Sequence, residues 1–107
     1  MTKKILLSQE FGNNIFTRNT ISAFFEKINK MKEAEIELDF SGIEFISRSC
    51  ADEYLKRKQI SKKKIVEANM PEEVCSMFNV VQNQYKKAGF KISFSVCENQ
   101  GKGLVAV

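Results

Sequence analysis

The stretch DFSGIEFISRSCADEYLK, residues 39–56, decides the fold, because a strand ends and a helix begins within it. Residues 35–40, which overlap its start, alternate apolar and acidic side chains and predict a half-buried strand. Ser41-Gly42 breaks that strand, and a helix is predicted from about residue 49 to residue 59. The Ser-Arg-Ser-Cys sequence at residues 47–50 lies at the junction, where it indicates either a helix cap or a reactive cluster.

Strands and helices alternate on both sides of this junction. Strands are predicted at residues 3–8, 15–17, 35–40, 64–69, 90–97 and 104–107, and helices at about residues 19–32, 49–59 and 70–88. The strand at 15–17 is predicted to pair back on the first strand as a short hairpin. Because strands alternate with helices, we expect right-handed crossovers and a largely parallel core. The fold class is therefore α/β, in a single domain over residues 1–107.

Composition excludes several classes of protein. The chain has 107 residues, 43% of them hydrophobic and 28% charged, which is typical of a globular domain and excludes general disorder. No run approaches the roughly 20 apolar residues of a membrane span, and the N-terminal sequence lacks the apolar core of a signal peptide. We therefore expect a cytoplasmic protein without membrane attachment. The absence of histidine excludes histidine-based acid–base catalysis and the common histidine-containing metal sites.

The three cysteines, Cys50, Cys75 and Cys97, are widely spaced and form no CxxC pair, so they predict neither a disulfide framework nor a zinc site. No metal or other cofactor is expected. A thiol in the first turn of a helix, as at Cys50, can be reactive. However, the spacing from Cys50 to Arg57 is one residue too long for the phosphate loop of cysteine phosphatases, and the glycines of that loop are missing. A small buried cysteine is the favoured interpretation.

Two interpretations of the junction remain open. Ser49 followed by Asp52 has the form of a capping box, and Ser47 is an alternative cap. A helix N-terminus also attracts anions, so a phosphate on Ser49 would be favoured there and could pair with Arg48 and Lys56, although Asp52 and Glu53 would oppose it. The same serine could fill both roles.

Residues 36–56 resemble the STAS family, the domain shared by anti-sigma factor antagonists and the cytoplasmic tails of sulphate transporters. Asp39-Phe40-Ser41-Gly42 matches the end of the family's strand, and Phe45-Ile46 matches the apolar pair that follows it. Residues 47–50 stand where antagonists have Asp-Ser-Ser-Gly, so Ser49 matches the serine that a partner kinase phosphorylates. Ser47, Arg48 and Cys50 depart from that motif.

The helix start that follows, and the Thr17-Arg18 step before the first helix, look closest to a bacterial STAS-like family of uncharacterised function. The resemblance implies a mixed sheet of about four to six strands with three helices mainly on one face. It also implies a non-catalytic regulatory module that docks a protein partner, such as a regulatory kinase, an ATPase or another signalling protein. The partner-binding residues would be Asp39, Ser41, Ser47, Arg48, Ser49 and Asp52, with Ser49 as candidate phosphoacceptor.

Two further functions are weighed against docking. One is nucleic-acid or nucleotide binding through the helix N-terminus and the basic stretch from Lys56 to Lys64; the absence of interleaved aromatic residues favours a solvated surface instead. The other is a small thiol enzyme that uses Cys50. We expect no enzyme activity, and the sequence gives no indication of the oligomeric state.

Overall fold

The computed structural model describes residues 2–15, 17–89 and 96. Within them the chain alternates strands and helices, as predicted. The elements are β1 (Thr2–Leu6), α1 (Leu7–Phe11), β2 (Asn14–Ile15), α2 (Arg18–Asn29), β3 (Glu35–Asp39), β4 (Phe45–Ile46), α3 (Arg48–Ile60), β5 (Lys64–Ala68) and α4 (Glu72–Lys87). The strands predicted at 90–97 and 104–107 lie outside the described residues, except for Val96.

A parallel three-stranded sheet forms the centre of the molecule, in the order β1-β3-β5. Central β3 pairs with both neighbours, in registers that place Ile36 opposite Lys3 and Ile65. Ile36 and Leu38 are completely buried, as the alternation in residues 35–40 predicts. Because parallel neighbours need crossover connections, α2 and α3 lie between successive strands of this sheet. The predicted α/β class and parallel core are confirmed.

The N-terminal region differs from the prediction. The first strand ends at Leu6, and residues 7–11 form the short helix α1, so the described residues contain four helices rather than three. Leu7 is 2% exposed, and the Phe11 ring packs edge-on against Phe24 at 5.1 Å. Leu7 and Phe11 are four residues apart, so they lie on one face of a helix, and the packing of Phe11 on α2 stabilises that helical turn.

The predicted hairpin is wrong. β2 pairs in parallel with β4, with Asn14 opposite Phe45 and Ile15 opposite Ile46. Gly12 ends α1 with a positive φ of 78°, and its amide N–H donates to the Ser8 carbonyl at 2.9 Å. The intervening helix carries the chain away from β1, so residues 14–15 pair instead with residues that lie 31 positions later in the chain.

A cluster of aromatic rings joins three helices to the sheet. Tyr54 of α3 lies at its centre, with ring centroids 5.3 Å from Phe25 of α2 and 5.1 Å from Phe78 of α4. The Tyr54 hydroxyl donates to Glu67 of β5, whose carboxylate also binds Lys58 Nζ at 2.7 Å. Burial, together with the Glu67 carboxylate, raises the pKa of Tyr54 well above its ordinary value. Helix α3 is thus fixed relative to α2, α4 and β5.

Two of the cysteines lie in described parts of the chain. Cys50 is completely buried and free, as expected for a small packing residue. Cys75 of α4 is also buried, but it is disulfide-bonded, which the spacing of the cysteines did not predict. Structural disulfides are typical of oxidising compartments. The disulfide bond of Cys75 therefore argues against a cytoplasmic location, which stays a prediction.

Among the helices that the structure describes, none combines the length and the apolar composition that crossing a bilayer requires.

Candidate functional site

Ser47, not Ser49, caps helix α3. Ser47 has an extended backbone, and its Oγ accepts a hydrogen bond from the Cys50 amide at 3.2 Å. The predicted Ser49–Asp52 capping box is therefore wrong, and the alternative cap is confirmed. The preceding residue, Ile46, is buried in β4, which fixes the point at which the chain can turn into the helix.

Ser49 occupies the second position of the helix, with a half-buried side chain. Its Oγ lies 3.3 Å from Ser47 Oγ. Arg48, one residue earlier, is exposed, and within the described ranges it makes no ion pair. The hydroxyl of Ser49 is consequently not needed to cap the helix, and it has a free cation beside it in sequence.

Asp52 is tied to three other side chains. Its Oδ2 lies 2.9 Å from Arg18 Nη1 and 3.2 Å from Lys56 Nζ, and its Oδ1 accepts a hydrogen bond from the Tyr85 hydroxyl. Burial pushes the pKa of Asp52 upward, but the hydrogen bonds from Tyr85, Arg18 and Lys56 outweigh it and hold that pKa below its usual value. Asp52 is therefore an ionised residue that holds α3 against α2 and α4.

Glu53 extends the same network towards α2. It binds Arg57 Nε at 2.8 Å, accepts from Ser22 Oγ at 2.9 Å, and lies 3.3 Å from Arg18 Nη1. The hydrogen bond from Arg57 has the largest effect on the pKa of Glu53 and, with Ser22 and Arg18, lowers it against the opposing effect of burial. Arg18 is therefore held by two carboxylates, while its side chain remains 46% exposed.

These contacts surround an open pocket of about 440 Å³ between three helices. Arg18 comes from the start of α2; Arg48, Ser49 and Asp52 come from the start of α3; and Val81 and Gln84 come from α4. We call the pocket lined by these six residues the three-helix pocket. It brings together three of the predicted site residues, Arg48, Ser49 and Asp52.

Asp39 ends the central strand β3, Ser41 lies in the turn that follows it, and neither residue lines this pocket. Asp39 is 8% exposed; its Oδ1 accepts from the Ser41 amide at 2.9 Å and from Asn69 Nδ2 at 3.2 Å. The backbone hydrogen bond from Ser41 is the main reason that the pKa of Asp39 lies below its usual value. Asp39 thus ties the end of β3 to the residue that follows β5.

The thiol of Cys50 is poorly placed for chemistry. The side chain has no exposed surface, and burial raises the pKa of the thiol, against smaller opposing effects of Ser47 and Arg18. Across the described segments, no group of three or more acidic or cysteine side chains is arranged to hold a metal ion.

The basic stretch from Lys56 to Lys64 is largely engaged in contacts within the chain. Lys56 binds Asp52, Arg57 binds Glu53, Lys58 binds Glu67, and Lys63 Nζ donates to the carbonyls of Met31 and Glu33. Lys62 and Lys64 are exposed. A continuous polyanion surface needs free cations along its length, so these pairings weigh against nucleic-acid binding here.

Sequence reasoning missed Arg18, Val81, Gln84 and Tyr85 as site residues. Arg18 directly follows Thr17, whose Oγ1 accepts from the Thr20 amide at 3.3 Å and caps α2. This cap lies two or three residues before the one expected at Asn19 or Thr20. In the sequence, Thr17-Arg18 stands out only through its resemblance to the STAS-like family, and that resemblance does not mark Arg18 as a site residue. Val81 and Tyr85 fit the apolar stripe of α4, so the pattern alone assigns them to the core.

Comparisons of the chain with family models, with curated proteins and with solved structures find no match.

Proposed function

We propose that the protein is a non-catalytic regulatory module of the STAS-like type, which docks a protein partner through the start of α3, residues 47–53. The observation that carries the proposal is the three-helix pocket. It places Arg48 and the half-buried Ser49 beside side chains of α2 and α4, on a surface whose backbone is fixed by the Ser47 cap and by the Arg18–Asp52 contact.

The electrostatics of the pocket support recognition rather than catalysis. The carboxylates of Asp52 and Glu53 are ionised and paired with cations, so neither is poised to transfer a proton near neutral pH. Cys50 is buried behind the helix start. A rigid surface with a few exposed polar groups is what specific docking requires.

Phosphorylation of Ser49 is the regulatory part of the proposal. The Ser49 hydroxyl does not cap the helix, and the helix N-terminus and the neighbouring Arg48 and Arg18 favour a phosphate at this position. Phosphopeptide mapping of the protein isolated from the cells that make it should find phosphate on Ser49. If the phosphate is absent under all growth conditions, or is present on other serines only, the module is a fixed one.

Docking itself can be tested by site-specific photo-crosslinking in those cells. A photoreactive side chain at position 48 should give one discrete protein adduct, because it projects beside the three-helix pocket. The matched control is position 62, which is also an exposed basic residue but lies beyond the far end of α3. Equal adducts at both positions, or none at position 48, would contradict docking at the start of α3.

A further inference from the structure

The charges around the three-helix pocket are unequal. Arg18, Arg48, Lys56 and Arg57 contribute four cations, whereas Asp52 and Glu53 contribute two carboxylates. Each carboxylate already has cationic partners within the chain. The surface at the start of α3 therefore presents an excess of positive charge.

Arg48 and Arg18 differ in whether their guanidinium groups already have ion-pair partners within the chain. The Arg18 guanidinium is held in place by Asp52 at 2.9 Å and Glu53 at 3.3 Å, although nearly half of its side chain is exposed. Arg48 is exposed and has no ion pair within the part of the chain that the structure describes. One guanidinium is thus preorganised at the pocket and the other is available to a partner, and guanidinium groups suit planar carboxylates particularly well.

The remaining lining distinguishes between kinds of anion. Val81 provides an apolar wall, and Gln84 provides an amide that can donate a hydrogen bond. Among the described residues that line the pocket there is no aromatic ring on which a nucleobase could stack, and the nearby lysines are engaged with Asp52 and Glu67. A single carboxylate side chain fits this lining better than an extended nucleic-acid strand does.

We infer that the three-helix pocket binds an acidic segment of the protein partner, with a carboxylate of that segment on Arg48 and beside Arg18. The inference rests on the proposed docking function and adds the chemistry of the partner. Arg48 makes the direct contact. Asp52 and Glu53 act as positioning residues, because they fix the direction of the Arg18 guanidinium.

The experiment uses a fluorescein-labelled hexaglutamate peptide as probe, with the full chain and two variants of identical charge change. Arg48→Glu removes the proposed contact, and Lys62→Glu makes the same charge change on an exposed residue remote from the pocket. Both variants should fold, and an acidic residue in the first turn of α3 is favourable to the helix. Circular dichroism and thermal unfolding check this.

At low salt, we expect Arg48→Glu to weaken hexaglutamate binding at least about fivefold, and Lys62→Glu to weaken it less than about twofold. Added peptide should also shift the amide resonances of Arg48, Ser49 and Gln84 in the wild-type spectrum. Equal weakening by both variants would overturn the inference, since it would indicate attraction by net charge alone. Absence of binding by the wild-type chain would overturn it as well.

A thymidine hexanucleotide with the same label provides the alternative outcome. If it binds more tightly than hexaglutamate, and loses affinity equally in both variants, the surface is a general polyanion site and the inference is wrong. The photo-crosslink at position 48 is independent of these results. A discrete adduct without hexaglutamate binding would leave docking intact and refute only the acidic chemistry of the partner.

Discussion

Ser47 and Ser49 illustrate how two serines of one short motif take different roles. The cap belongs to Ser47, because it is the last extended residue before α3 and its Oγ reaches the Cys50 amide. Ser49 lies inside the first turn, where its hydroxyl faces the three-helix pocket. Structural support and the proposed regulation are thereby assigned to separate side chains.

This division predicts unequal effects of two matched substitutions. Ser47→Ala should lower the free energy of unfolding by about 1 kcal/mol, because the Cys50 amide loses its acceptor. Ser49→Ala should change that free energy by less than about 0.5 kcal/mol. Urea unfolding of the two variants beside the wild type measures both values. A larger loss for Ser49→Ala would show that Ser49 supports the helix.

The ionised contacts of Asp52 should make the free energy of unfolding depend on pH. Its pKa is lower in the folded chain than in the unfolded one, so its contribution is complete well above about pH 4 and is lost as the pH falls through the folded pKa. Asp52→Asn should therefore cost about 1–2 kcal/mol at pH 7, and this cost should shrink as the pH falls below about 4.

Unfolding by urea across this pH range tests the dependence. Glu26→Gln, an exposed carboxyl on α2, serves as the control and should change stability by less than about 0.5 kcal/mol at every pH. A gap between the wild type and Asp52→Asn that does not shrink as the pH falls would show that the variant acts through packing and not through the loss of ionised contacts.

At the scale of elements, α3 is attached to β5 through a nearly buried ion pair. The Lys58 and Glu67 side chains are only 12% and 14% exposed, and Glu67 also accepts a hydrogen bond from the buried Tyr54 hydroxyl. Removing one charge of such a pair leaves the other in a poorly hydrated site, which costs more than the pair itself contributes. The attachment is therefore sensitive to single substitutions.

Lys58→Met should lower the free energy of unfolding by about 3 kcal/mol, because the Glu67 carboxylate remains. The double variant Lys58→Met/Glu67→Gln should recover part of that loss, since the amide can still accept from Tyr54 and carries no charge. Lys62→Met, at an exposed position, is the control and should cost less than about 0.5 kcal/mol. If the double variant is less stable than Lys58→Met, the unpaired Glu67 carboxylate is not the cause of the loss, and the buried-charge explanation is contradicted.

The elements also differ in how far the sequence predicts them. β3 and the apolar faces of α2 and α4 have clear periodicity, whereas β5 is a short segment without it; the structure confirms all four elements. α1 and β2 are only five and two residues long. Segments of that length carry too few periodic positions to distinguish helix from strand, and the pairing of β2 with β4 depends on contacts between residues 31 positions apart.

At the scale of the whole molecule, three helices meet at one pocket. The residues of α3 that line it form a contiguous motif, and for this reason sequence reasoning found Arg48, Ser49 and Asp52. Arg18 and Tyr85 reach the same place from 34 positions before and 33 positions after Asp52 in the chain, through the packing of α2 and α4 on α3. No local pattern specifies such a meeting point, so half of the site is a property of the fold.

Docking at this meeting point is most directly tested by filling the pocket from its rim. Ser49→Trp places a large side chain there, and Ser76→Trp places the same side chain on an exposed position of α4 that does not line the pocket. The measurement is the dissociation constant of each folded variant for the protein captured by the photo-crosslink at position 48. We expect at least a tenfold weaker complex for Ser49→Trp and an unchanged one for Ser76→Trp, whereas unchanged affinity for Ser49→Trp would contradict docking at the start of α3.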